Sequence, residues 1–328
     1  MRRAFFIVGP TATGKSELAA DVAREIGAEI VSADAFQIYR GLDLLTAKPE
    51  SSTLAKAPHH LVGLMPLSGE MNAEKYRRAA MRAIDQINSR GRLAIVVGGS
   101  GLYIKALTHG LAPLPESDPK LREKLNAMSL DNLRSQLVEL DPEAAKKIDI
   151  KNRRRLVRAL EICLLSGKSI SEALAARSTV ADGVDLGSLA DVRPRSAPAA
   201  TGAESSIRAT GVFVFRDRNE LYERINQRVE IMFNRGVIEE VRDARATSAT
   251  AAQMIGLREI RQLLAGKKTL TQCIAEIQQA TRRYAKRQLT WFRRQTNFLP
   301  LNLSFLTHNE AVKWISLRML SEAGTRDD

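Results

Sequence analysis

Cysteine is scarce. Cys163 and Cys273 are the only two, and they lie far apart in the chain. That excludes a disulfide framework, and no Cys/His spacing resembles a zinc pattern. A reducing compartment fits. Long apolar runs are also missing: no stretch is long and apolar enough to span a bilayer. The run behind Arg2-Arg3 is too short for a signal peptide. The expected location is the cytoplasm, with no membrane partner. Acids are the third shortage, since 37 Asp and Glu against 50 Lys and Arg leave a net charge of +13. Such an excess suits a polyanionic partner, nucleic acid first, or a generally basic surface that aids solubility. Composition leaves those two open. Apolar residues at 44% and charged residues at 27% are ordinary for a soluble globular protein. The 328 residues suffice for one large domain or two smaller ones. There is no internal repeat.

What is present begins with Gly9-Pro10-Thr11-Ala12-Thr13-Gly14-Lys15-Ser16, which fits the phosphate-loop pattern G-x-x-x-x-G-K-[ST]. Ala4 to Val8 before it reads as a buried strand, and Leu18, Ala19, Val22 and Ile26 after it recur at helical spacing. In that context backbone N–H groups and a helix N-terminus cradle phosphate. Lys15 supplies a point charge, and Ser16 can hold Mg2+. The loop implies a diphosphate or polyphosphate without saying which molecule carries it.

The chain continues as strand, loop and helix. Glu29 to Ser32 reads as a strand with Asp34 at its carboxyl end, the end that faces the ligand crevice in open α/β sheets. Pro58 to Val62 is a further short strand, and Glu74 to Asn88 a helix. Leu93 to Val97 is a central parallel strand ending in the glycine turn Gly98-Gly99-Ser100-Gly101. The expected fold class is α/β, a P-loop parallel sheet flanked by helices, with a small all-helical insertion domain. The expected boundaries are 1–115 for the first part of the core, 116–177 for the insertion, 178–208 for a connector without fixed structure, and 209–328 for core completion and basic C-terminal helices. Thr210 to Phe215 reads as a returning strand, Ala252 to Leu264 as one helix, and Thr271 to Thr296 as a long one. On the long helix, Ile277, Thr281, Tyr284 and Gln288 share one side, while Arg283, Lys286 and Arg287 share another. In the insertion, Lys151 to Arg158 packs cations with few interleaved acids, and Arg154 and Arg158 share a face. Such a run is either a solvated face or a phosphate-contacting one, and the shortage of acids favours the second.

Six ordered blocks resemble the tRNA dimethylallyltransferases. They are the loop Gly9 to Ser16, then Ser32 to Tyr39, Thr46-Ala47-Lys48-Pro49, Val97 to Tyr103, Arg155 to Glu161, and Thr281 to Phe292. Leu45 stands where that family usually has glycine, and Ser100 where it usually has threonine. The eukaryotic members' zinc finger is absent, which points to the bacterial type. The resemblance implies transfer of a dimethylallyl group from dimethylallyl diphosphate to the exocyclic N6 amine of the adenosine next to the tRNA anticodon. It implies that Gly9, Pro10, Thr11, Ala12, Thr13, Gly14, Lys15 and Ser16 bind the donor's diphosphate with Mg2+, that Asp34 is the base, and that Ser100 acts at the adenine. Asp34, Ala35, Phe36, Gln37, Ser100, Arg122, Arg154, Arg155, Leu156, Val157, Arg158, Gln253, Met254, Ile255, Gly256, Leu257 and Arg258 align with tRNA contacts. Arg283 and Arg287 join them as the basic face of the long helix. The expected partners are the tRNA anticodon stem-loop and dimethylallyl diphosphate, and the expected state is a monomer. From spacing alone, Asp34 could instead be a magnesium ligand of an NTPase. Arg216 or Arg218 could add charge at the diphosphate. Rival readings are a small-molecule kinase, an isopentenyltransferase acting on free adenine nucleotides, and a non-catalytic RNA-binding module.

Overall fold

The computed structural model describes residues 2–111, 114–170, 172, 207, 210–244 and 246–324. Contacts divide the chain into two units, Met1–Gly110 with Ser206–Asp328, and Leu111–Ser205.

The first unit is built on six strands: β1 (Ala4–Val8), β2 (Glu29–Ser32), β3 (His59–His60), β4 (Ala94–Gly98), β5 (Thr210–Phe215) and β6 (Phe298–Asn302). They lie in the order β3-β2-β4-β1-β5-β6, and every pairing is parallel. The unbroken apolar runs follow from burial on both faces. Phe6, Val8, Val31 and Val96 point into one core, while Phe5, Ile7, Ile30 and Ile95 point into another. A strand alternates its side chains at period two, so a sheet covered on both sides needs apolar residues at every position.

The second of those cores is closed by α1 (Lys15–Ile26) and by the last helix, His308–Gly324, through Leu18, Val22, Ala311 and Ile315. The first is closed by α3 (Ala73–Ser89), α4 (Gly101–Thr108) and a helical group near the C-terminus. Numbered after α2 (Ser51–Leu54) and the four helices of the other unit, that group is α9 (Arg218–Asn234), α10 (Val237–Asp243), α11 (Leu257–Leu264) and α12 (Leu270–Phe292). The last helix is α13. The single helix expected over Ala252 to Leu264 is broken: a 3-10 turn at Ala251–Gln253 is followed by an extended Met254, and α11 starts only after Gly256 at φ +97°. Glycine tolerates that left-handed backbone, and the break turns Met254 and Ile255 toward the site.

The second unit, among its described residues, contains α5 (Pro119–Ala127), α6 (Leu130–Leu140), α7 (Pro142–Lys147) and α8 (Arg153–Ser166) around Leu125, Leu133, Leu137, Leu156 and Leu160. Each helix is started by a side-chain N-cap, Asp118, Ser129, Asp141 and Asn152 accepting from backbone N–H groups of the first turn. The expected connector at 178–208 lies outside the described residues except for Ile207.

Candidate active site

The loop Gly9–Ser16 joins β1 to α1, as its sequence context requires. Gly14 caps α1 in the left-handed region at φ +89°, and Ala12 is also left-handed at +67°. Arg224 and Arg216 brace this bend from outside, donating to the carbonyls of Ala12 (2.9 Å) and Thr13 (3.0 Å). Arg216 is also paired to Glu220, and Arg218 lies over the Tyr222 ring. Those two arginines therefore support the loop and α9; neither lines the cleft described below. Lys15 is buried, and its ammonium donates to the Pro10 carbonyl at 3.1 Å. Burial pushes its pKa down to about 8, against the pull of Asp34, and Arg228 pushes the same way as burial. Ser16 Oγ has no hydrogen-bond partner among the described residues.

Beside the loop, Asp34 follows the end of β2, and Ser100 the end of β4. One carboxylate oxygen of Asp34 accepts from the N–H groups of Phe36 (2.9 Å) and Gln37 (3.2 Å), which fixes the side chain and leaves the other oxygen free. The Ser100 hydroxyl accepts from Ala35 N–H at 2.9 Å, and Ser100 N–H donates to Ala33. The two strand ends are thus tied together. Tyr284 of α12 brings its hydroxyl beside Ser100 and Gln288. Burial first, and Asp34's charge second, hold this phenol well above its ordinary range, so it is a neutral donor. Tyr76 and Tyr103 are raised for the same leading reason, with Asp34 adding to each. Their rings stack at 3.9 Å.

Asp34, Thr11 and Tyr284 open onto a cleft walled by Leu44, Leu45, Val229, Met232, Met254 and Ile277. Arg228 of α9 is also in that wall. It is half-buried, faces the charges of Asp34 and Lys15, and makes no hydrogen bond or ion pair among the described residues. Sequence reasoning missed it. The signal was its place one helical turn after Arg224, beside Ile225 and Val229 on the inward face. The loop of Leu44 and Leu45 is held by Glu240 of α10, whose two carboxylate oxygens accept from the two N–H groups at 2.9 and 3.0 Å. Gln37 donates to the Ala47 carbonyl on the same loop. Leu45 packs against Gly256, where a Cβ would come within 2.8 Å of it.

The sequence-derived tRNA contacts divide between the units. In the first, Ala35, Phe36 and Gln37 adjoin Asp34, Phe36, Met254 and Ile255 line the cleft, and Gln253 and Arg258 are less buried neighbours. Leu257 is core. Arg283 and Arg287 are exposed on α12, on the side away from buried Thr281 and Gln288. In the second unit the cation run is more engaged than its sequence suggests. Arg158 and Arg122 both donate to Glu161, which is wholly buried, at 2.7 Å. Arg155 lies 4.0 Å from Asp149, and Arg153 donates to backbone carbonyls. Leu156 and Val157 are core and present no side chain to a partner. Among the four arginines of α8, Arg154 alone is exposed without an ion pair among the described residues. The neutralising acids come from outside the run, so counting interleaved acids overlooked them.

No group of three or more His, Cys, Asp or Glu among the described residues could hold a metal ion. No helix there is long and apolar enough to cross a membrane. The four histidines bond outside this site: His59 to Ala57, His60 to Glu29, His109 to Thr108 and His308 to Asp21.

Similarity to known proteins covers nearly the whole chain. It is 41% identical to a tRNA dimethylallyltransferase 1 of Citrifermentans bemidjiense over 293 residues, 88% of each chain. It is 39% identical to a tRNA dimethylallyltransferase of Akkermansia muciniphila over 319 residues, 97% of this chain and 99% of that one. Among solved structures, a full-length tRNA isopentenylpyrophosphate transferase from Bacillus halodurans matches at TM-score 0.67 and 30% identity, over 99% of both chains. A eukaryotic dimethylallyltransferase acting on tRNA matches at TM-score 0.74 and 23% identity, over 98% of this chain and 80% of that one, which supports the fold. The sequence profile of the IPP transferases spans residues 37–295, from just past Asp34 to just beyond the end of α12. With that coverage, the chain belongs to the IPP transferase family.

Proposed function

We propose that this enzyme transfers the dimethylallyl group of dimethylallyl diphosphate to the exocyclic N6 amine of the adenosine next to the tRNA anticodon, releasing diphosphate. One observation carries the reading: a phosphate loop and a carboxylate open onto the same cleft, and most of that cleft's wall is apolar. A diphosphate bearing a short branched hydrocarbon fits both parts. The loop's N–H groups and Lys15 hold the diphosphate, and Arg228, which has no hydrogen bond or ion pair among the described residues, adds charge as the leaving group departs. The Ser16 hydroxyl is a free hard oxygen donor, and with diphosphate oxygens and water it suits Mg2+. Bound there, the ion would neutralise leaving-group charge.

The acceptor adenine must leave its stack to reach the cleft. Its amine is a weak nucleophile because the lone pair is delocalised into the ring. The free oxygen of Asp34 takes a proton from that amine as the new carbon–nitrogen bond forms. Ser100 and the neutral Tyr284 orient the base. Arg154, Arg283 and Arg287 supply exposed cations for tRNA phosphates.

Incubation with labelled dimethylallyl diphosphate and either unmodified tRNA or AMP tests the proposal. Label in tRNA alone is expected. Label in AMP would make this an enzyme of free nucleotides, and label in neither would overturn the reaction.

A further inference from the structure

We propose that Gln288 is a positioning residue that sets the spacing between the donor loop and the acceptor-side turn. This inference rests on the transfer reaction proposed above.

Gln288 lies on α12 and is 6% exposed. Its amide oxygen accepts from the N–H of Thr11 in the phosphate loop at 2.9 Å. Its amide nitrogen donates to the carbonyl of Gly99 at 2.8 Å, one residue before Ser100. A single side chain therefore bridges the loop after β1 and the turn after β4. The partners dictate the amide's orientation, because one is a donor and the other an acceptor. An amide offers both at this reach whatever the pH. A carboxylate would face the Gly99 carbonyl with a second negative oxygen.

The surroundings are built around this bridge. A Cβ at Gly99 would lie 2.3 Å from the Gln288 nitrogen and 2.7 Å from the Gly9 carbonyl, so residue 99 must lack a side chain for the bridge to form. One turn earlier on α12, Tyr284 reaches Ser100 and Gln288. One turn later, Trp291 packs on Gly101, where a Cβ would come within 2.8 Å of the indole. Gln288 is thus the central contact of a helix that seats on the acceptor-side turn at three successive levels. It is the only one of the three that also grips the donor loop. Nothing in its position touches the reacting atoms; it acts through Thr11 and Gly99. A transferring carbon and an attacking amine must be held within about 0.5 Å of their productive geometry, and a misplacement of about 1 Å can cost on the order of a hundredfold in rate.

The test uses the full chain with Gln288→Ala and Gln288→Glu. Wild-type turnover of dimethylallyl diphosphate with tRNA first checks the functional reading by itself. At about pH 8 both variants should keep tRNA affinity and lower kcat by roughly tenfold or more. The glutamate variant should then recover toward wild type as pH falls to about 6, because a buried carboxyl takes up a proton early and, protonated, donates and accepts as the amide does. The alanine variant should not recover. A loss confined to tRNA affinity, or a glutamate variant that tracks alanine across the pH range, would overturn the inference. If the wild type proves inert toward these substrates, the functional reading fails, and hydrogen exchange at the Thr11 amide decides the bridge separately. Faster exchange in Gln288→Ala supports it, and unchanged exchange refutes it.

Discussion

At the residue scale the site is a set of charges held apart by geometry. Asp34 has one oxygen committed to Phe36 and Gln37 and one free. Asp34→Asn keeps the shape and removes the proposed base, so single-turnover rates should fall by roughly a hundredfold or more, with donor and tRNA dissociation constants nearly unchanged. If turnover fails only because magnesium binding is lost, Asp34 is a metal ligand. Lys15 makes a different prediction. Its folded pKa, about 8, lies below the ordinary lysine value of 10.5 because of burial. The charged form is thus disfavoured by folding, the penalty is full below about pH 8, and it is relieved as pH rises toward 10.5. A diphosphate bound at the proposed site would restore the charge. Calorimetry with inorganic diphosphate between those pH values should therefore register proton uptake, seen as a dependence on buffer ionisation enthalpy. Lys15→Met should abolish both the uptake and most of the affinity. Proton uptake that survives in Lys15→Met would assign the titration to another group. Lys15 and Asp34 were legible in sequence because a glycine pattern and a strand end mark them. Arg228 was not, because a cation on an amphipathic helix looks the same whether it faces water or a cleft.

Helices carry the second scale. α12 presents exposed Arg283 and Arg287 on one side and buried Thr281 and Gln288 on the other, a division its spacing already displayed. α8 is the contrary case. Its Arg154 has no ion pair among the described residues, whereas Arg158 helps to neutralise the wholly buried Glu161. Removing each should separate the roles. Arg154→Ala, Arg283→Ala and Arg287→Ala should each reduce the salt dependence of tRNA binding, by about one unit of slope or less per phosphate contact. Arg158→Ala should instead lower thermal stability, because it strips a partner from a buried carboxylate, and breaking such a pair costs about 3–5 kcal/mol when nothing replaces it. With Arg122 still on Glu161 the loss should fall at the low end. An Arg158→Ala protein with wild-type melting and a flatter salt slope would reverse this assignment. The break before α11 belongs to the same scale. Apolar periodicity runs straight through Met254 to Leu257, and only Gly256 hinted that the chain turns there.

For the whole molecule, strand content was readable because a sheet covered on both faces demands continuous apolar runs, and β1, β4 and β5 supply them. The order of those strands was not readable, since periodicity carries no record of neighbours. That order has a consequence for synthesis. β1 pairs with β4 on one side and β5 on the other, and Phe5 meets Thr210. At ribosomal speeds of about 5–20 residues per second, roughly ten to forty seconds separate the emergence of β1 from that of its second neighbour. Throughout that interval one edge of a strand that is wholly buried in the finished sheet stands open, and such edges recruit foreign strands. Ribosome-bound chains arrested before residue 210 should therefore be held by chaperones or aggregate on release, and chains arrested beyond β6 should not. A cell making this enzyme must shelter its central strand for most of the time spent translating it.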